Sequence, residues 1–311
     1  LEYPIGSLIP MILPRLFTDN FSLYSLIFHV QSLVVFLFGL WLIKKKTTNY
    51  WPYIFIGILL FPVLVERLDI YVAVLTLWSL VLFEEKRYKI SGLILLSAIT
   101  IKFYPILLLP YLLWKSRKYL FFLSVAAASM LILLINPYSL TFHLQRGVHP
   151  ESVYGTFLSI THPAKTEYAF NARQLVDSSM PRWWMGTAFL VGISFMRRRY
   201  TIYEKSFIII LSFIISSKVF SPQYLLWLIP FVPFTNRRKQ IFIIISAFLT
   251  IWYLGFYEES IVKLSLPYLY IPVIRNLFLV GAIIVWVDNL YLIQNRWVVV
   301  SSRTCFGIQM L

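Results

Sequence analysis

Cysteine is almost missing from this chain: Cys305 is the only one among 311 residues. A single thiol excludes an intramolecular disulfide and any cysteine-based metal cluster. Charge is scarce too, at 13% of residues against about 25% in an ordinary soluble domain. Only 13 residues are acidic and only four are histidine. There is no glycine-rich phosphate loop, no Ser-His-Asp order and no H-E-x-x-H, so P-loop, serine-hydrolase and zinc-peptidase chemistry all lack their signatures. No metal site and no cofactor is expected. His29 lies on an apolar stretch and reads as a core histidine. His143 and His149 lack the neighbouring carboxylates of a metal site, and hydrogen bonding suits them as well as catalysis does.

What the chain has instead is apolar length. Hydrophobic residues make up 59%, in repeated runs, some long enough to span a bilayer. The composition predicts an all-α, polytopic integral membrane protein in the cell (plasma) membrane. The net charge of +15 does not point to nucleic acid. Most cations sit in short clusters between apolar runs, at Lys44–Lys46, Lys86–Lys89, Lys115–Lys118, Arg197–Arg199 and Arg237–Lys239. That is the positive-inside pattern, and it marks the cytoplasmic side.

In chain order, Ile5 to Phe17 is short and interrupted by Pro10 and Pro14, which suits an interfacial helix. Ser22 to Ile43 is a full span. Trp51 to Val65 and Leu68 to Phe83 form an outward and return pair. Ile90 to Ile101 and Pro105 to Trp114 form a second pair, each helix only about 18 Å long or less. Tyr119 to Ile135 crosses outward, Trp183 to Met196 returns, and Ser206 to Ser217 with Tyr224 to Phe234 makes a third short pair. Gln240 to Tyr257 and Ile271 to Ile293 complete about eleven crossings, several of them short or broken. Residues 1–295 read as one transmembrane domain, with 136–182 a long outer loop carrying interfacial helices and 296–311 a tail without a clear pattern.

The breaks hold the chemistry. Lys218 to Pro230 (KVFSPQYLLWLIP) sets a cation, a hydroxyl, a proline and an amide between apolar runs. Glu66 to Tyr71 (ERLDIY) and Lys102 to Pro105 (KFYP) repeat the design. A charge at membrane depth costs about 2.5 to 3.5 kcal/mol on insertion scales and usually faces a cavity or a partner. The plain alternatives are that Lys218 snorkels to an interface and that Glu66, Arg67 and Asp69 brace their own turn as ion pairs. Cations concentrated on the outer side, with His143, Arg146, His149 and Glu151 of the outer loop, predict an anionic partner there. A phosphate fits lysine as a point charge or arginine as a fork.

Five stretches taken in order resemble one family: LEYP, RLDIY, SGLILLSAITIKFYPILLLP, HLQRGVHPESVYG and KVFSPQYLLWLIP. They are similar to the polyprenyl-phosphate-mannose-dependent mannosyltransferases of glycosyltransferase family 87, which have the GT-C fold, over roughly Leu1 to Pro230. The resemblance implies an inverting hexosyltransferase. Its donor is a polyprenyl-phosphate sugar, and its acceptor is a lipid or glycan hydroxyl on the outer face. By position, Lys102, Lys218, Arg146 and Gln223 would serve the donor phosphate, and Glu151 and Asp69 the catalytic chemistry. Glu2, Tyr3, Glu66, Arg67, His143, His149, Ser221 and Tyr224 would support them. Relatives carry an acidic base in an outer loop before the EYP-like stretch. Here the chain opens at Leu1 inside that motif, and Ile5 stands where a second proline is usual. The upstream helix and base are therefore expected to precede Leu1. A flippase for lipid-linked saccharides, which also needs broken helices and charges at depth, is the alternative. Its inverted repeats are not evident.

Overall fold

A computed structural model describes residues 4–116, 118–135, 145–161, 165–169, 172–176, 186, 192 and 200–305. It is mostly helical. In order come α1 (Leu8–Arg15), α2 (Phe21–Lys44), α3 (Trp51–Leu59), α4 (Phe61–Glu66), α5 (Asp69–Glu84), α6 (Tyr88–Ile101), α7 (Leu109–Lys115), α8 (Tyr119–Ile135) and α9 (Val153–Thr161). The strands β1 (Thr166–Ala169) and β2 (Ala172–Leu175) come next, then α10 (Ile202–Ser216), α11 (Arg237–Leu254) and α12 (Leu266–Cys305).

Among the described residues, two helical stretches are long and apolar enough to cross a membrane, Phe21–Lys44 and Leu266–Val285. The outer flank of α2 leaves Leu26, Val30, Val34 and Leu37 exposed, as a lipid-facing helix does. The other expected crossings are met by shorter or broken pieces. The helix expected over Trp51 to Val65 breaks at Leu60, one residue before the Phe61-Pro62 start of α4. The segment expected over Tyr224 to Phe234 is a pair of 3-10 helices, Pro222–Trp227 and Ile229–Phe234. Proline lacks the N–H that α-helical bonding needs, and Pro222, Pro230 and Pro233 recur too often for an α-helix. The expected crossing over Trp183 to Met196 falls outside the described residues apart from 186 and 192. The all-α expectation also needs correction. The chain after α9 holds an antiparallel hairpin, with Thr166 opposite Leu175 and Ala169 opposite Ala172.

The core centres on α5, which packs against α2, α6, α10 and the 3-10 helix Pro222–Trp227. Its sequence is apolar on every face, the pattern of a helix buried all round. The turn into α6 is a Schellman motif. The N–H of Arg87 reaches Leu82 O (2.9 Å), that of Lys86 reaches Phe83 O (3.0 Å), and Lys86 takes φ 63°. Ser79 and Ser91 clamp the pair, each hydroxyl donating to the other's carbonyl at 2.8 Å. Helices α5 and α6 have 16 and 14 residues, so their lengths are about 24 and 21 Å. Nearly equal lengths return the chain to its starting level. Lys102, just past α6, therefore meets Asp69, at the start of α5.

Candidate active site

The two lysine-bearing stretches are held open by a similar local device, an extended residue after a helix and then a 3-10 helix with proline in its first turn. Helix α6 ends at Ile101, Lys102 is extended (φ −156°, ψ 138°), and a 3-10 helix with Pro105 as its second residue runs Tyr104–Leu108. Helix α10 ends at Ser216, Ser217 and Ser221 are extended, and Pro222 starts the next 3-10 helix. Ser221, directly before Pro222, is pushed out of the helical region, and both Pro105 and Pro222 suit the first turn of the helix that follows. The sequence thus unwinds the chain where it places its cations.

Two centres result. At the first, Asp69 is buried and accepts hydrogen bonds from Lys102 Nζ (2.6 Å) and Trp227 Nε1. Trp227 stacks between Tyr104 (4.1 Å) and Tyr224 (4.0 Å), and the Lys102 ammonium lies 5.3 Å from its ring centroid. Lys102 and Asp69 thus hold each other.

The second is a cavity of about 550 Å³. Its lining includes Arg67 from between α4 and α5; Arg146, His149 and Glu151 from the segment before α9; and Ser221, Gln223 and Tyr224 from the broken stretch. The fold thereby gathers seven of the expected residues from three separate parts of the chain. Asp69, Lys102 and Lys218 are not among the lining. Lys218 adjoins it, its carbonyl accepting from His149 N–H at 2.9 Å. Glu66 is exposed at the end of α4. Glu2, Tyr3 and His143 lie outside the described residues.

Within the cavity wall, His149 Nδ1 is 3.0 Å from Phe220 O, so this nitrogen carries the proton and donates. Burial, with Arg146 and Lys218 close by, drives the His149 pKa down to about 4 and leaves the ring neutral at pH 7. The Glu151 carboxyl accepts from Tyr253 O–H at 2.6 Å. Burial raises its pKa, while the Arg275 guanidinium and the Tyr253 hydrogen bond oppose that rise. A carboxyl whose pKa is raised in a cleft is a candidate for acid–base work. Three guanidinium groups, those of Arg67, Arg146 and Arg173, share the cavity with it. Guanidinium forks match phosphate oxygens. Among the described residues, no cluster of three or more His, Cys, Asp and Glu could hold a metal ion.

Sequence reasoning missed several groups here. Tyr168 and Arg173 come from the hairpin, and Tyr257 and Glu258 from the chain after α11. Four-residue strands leave little periodic signal. Arg275 did leave one: it is a cation inside the apolar run of α12, the same anomaly that singled out Lys102 and Lys218.

The sequence profile of Glycosyltransferase family 87 matches residues 1–222. Comparison with curated proteins and with solved structures returned no match.

Proposed function

The chain belongs to glycosyltransferase family 87, and from that premise we propose that it transfers a hexose, mannose, from a polyprenyl-phosphate donor to an acceptor hydroxyl at the outer face of the plasma membrane, through a multi-pass bundle of about eleven crossings. The observation that carries this reading is the pairing of Arg67, Arg146 and Arg173 with the buried carboxyl of Glu151 in one cavity.

In the reaction the acceptor oxygen bonds to the anomeric carbon as the bond from that carbon to the phosphate oxygen breaks. The phosphate leaves with one more negative charge than it brought. Arg67, Arg146 and Arg173 would stabilise that charge where it develops, with the Gln223 amide adding a donor. Glu151 would take the acceptor proton, and attack opposite the leaving phosphate would invert the anomeric centre. Lys102 would act indirectly, fixing Asp69, Trp227 and hence Tyr224 at the cavity wall.

The test is transfer by the purified protein in liposomes, supplied with labelled polyprenyl-phosphate-mannose and a mannoside acceptor. Label should pass to the acceptor, and Arg146→Ala should weaken donor use by roughly 10- to 150-fold, the value of one charge-assisted contact. Movement of the lipid-linked sugar across the vesicle without transfer would refute the reading in favour of a flippase.

A further inference from the structure

Arg275 is fully buried (0% exposed) in the apolar stretch Leu266–Val285, outside the residues matched by the family profile. Arginine at such a position is rare and marks function by default. The contacts of its guanidinium lead to the cavity wall. Nη2 donates to the main-chain carbonyl of Glu151 (2.5 Å), and Nε and Nη2 reach Asn276 Oδ1 (3.1 and 2.9 Å). Asn276 Nδ2 donates to the same Glu151 carbonyl (3.1 Å) and to Thr156 Oγ1 (3.1 Å). The guanidinium lies 4.0 Å from the Phe220 ring centroid, and Phe220 O is the acceptor that orients His149. One side chain therefore braces both the outer loop and the broken stretch.

We propose that Arg275 is a positioning residue for Glu151: it fixes the loop that carries the cavity carboxyl and supplies the positive charge that lets this carboxyl ionise in a buried place. The proposal rests on the reading of Glu151 as the group that takes the acceptor proton. The guanidinium bonds the main chain of Glu151 rather than its carboxylate, so the carboxylate stays available to the cavity. Tyr253 of α11 holds one of its oxygens. Other titratable or charged groups around the cavity are Tyr257 and Glu258 beyond α11, Arg67 before α5, Tyr168 and Arg173 of the hairpin, Arg146 and His149 on its own loop, and Lys218 beside His149. Among all these groups together with Arg275 and Tyr253, it is Arg275 and the Tyr253 hydrogen bond that favour the ionised form of Glu151 against its burial.

The experiment titrates the protonated carboxyl of Glu151 by infrared difference spectroscopy, with Glu151→Gln assigning the band, alongside the pH profile of sugar transfer. In Arg275→Gln, which keeps amide donors but not the charge, the infrared midpoint and the acid limb of the profile should both move up by about 1 to 3 pH units, the usual effect of a close opposite charge. Arg275→Lys keeps the charge and should move them less. If the glutamine variant does not fold, Arg275→Lys carries the test: one ammonium cannot reproduce the fork to the Glu151 carbonyl and Asn276 Oδ1, so unchanged sugar transfer in it overturns the positioning role. In Arg275→Gln an unmoved infrared midpoint overturns the proposal, whatever happens to turnover. A protein that shows the infrared shift but transfers no sugar sustains the coupling and refutes the transferase reading instead.

Discussion

Removing Lys102 should unfold more than it unbinds. Its Nζ lies 2.6 Å from Asp69 Oδ1, and the two side chains are 13% and 2% exposed. In Lys102→Met the carboxylate stays in place with Trp227 as its remaining hydrogen-bond donor. Breaking a buried pair from one side costs about 3 to 5 kcal/mol, because an uncompensated charge is left inside. In a chain of this size that is on the order of 10 °C in Tm. The double variant Asp69→Asn/Lys102→Met removes both charges and retains an amide facing Trp227, so it should recover much of the loss. Replacing a whole buried pair is often nearly neutral. Thermal unfolding of wild type, both single variants and the double variant, in one detergent at one pH, closes the cycle. Were Lys102→Met as stable as wild type, or the double variant no more stable than the singles, the structural role given to this pair would be refuted. Lys102 would then be a ligand cation.

Three further outcomes are expected. With Cys305 replaced, cysteines placed at positions 45 and 155 should label from the inside and the outside respectively. Outside labelling at 45 but not at 155 would reverse the topology read from the basic clusters. Gly155→Ala should disrupt the turn into α9, because a Cβ there would run into the main-chain carbonyl of His149. Lost thermal stability together with weakened donor use checks this, and normal behaviour of the variant counts against the packing of that loop. His149 titrates near 4 in the folded protein against about 6.5 unfolded. Its contribution is therefore complete above pH 6.5 and is lost as pH falls toward 4, to the extent of about 3 kcal/mol. Tm measured from pH 7 down to 4.5 should fall more steeply in wild type than in His149→Phe, and parallel curves would contradict it.

Much of this protein is legible in its residues because the controlling rules are local. Apolar runs of 20 or more residues give α2 and α12, and the run Tyr119 to Ile135 coincides with α8 at both ends. Proline gives the break at Ser221–Pro222 and sets the first turn of the 3-10 helices that follow Lys102 and Ser221, since the fixed ring and missing N–H act on their immediate neighbours. Polar residues out of place beside apolar runs mark Arg67, Arg146, His149, Glu151, Ser221, Gln223 and Tyr224, which do share one cavity. The order of five weak motifs is enough to indicate the family.

Only the tertiary structure decided who partners whom. Lys102 carries no sign that it would meet Asp69, 33 residues away, rather than face the cavity. That pairing comes from two helices of matched length and a serine-clamped turn. Glu151 meets Tyr253 and Arg275 across 102 and 124 residues, and no spacing rule reaches so far. The hairpin that brings Arg173 to the cavity is pinned by Leu175 N–H to Val148 O (2.9 Å) and by Thr166 Oγ1 to Val262 O (2.7 Å). Four-residue strands cannot hold alone, and these form because the loop and α11–α12 connection offer them partners. Helices and breaks depend on residues a few positions apart, whereas a buried charge finds its counterpart only after the helices have packed.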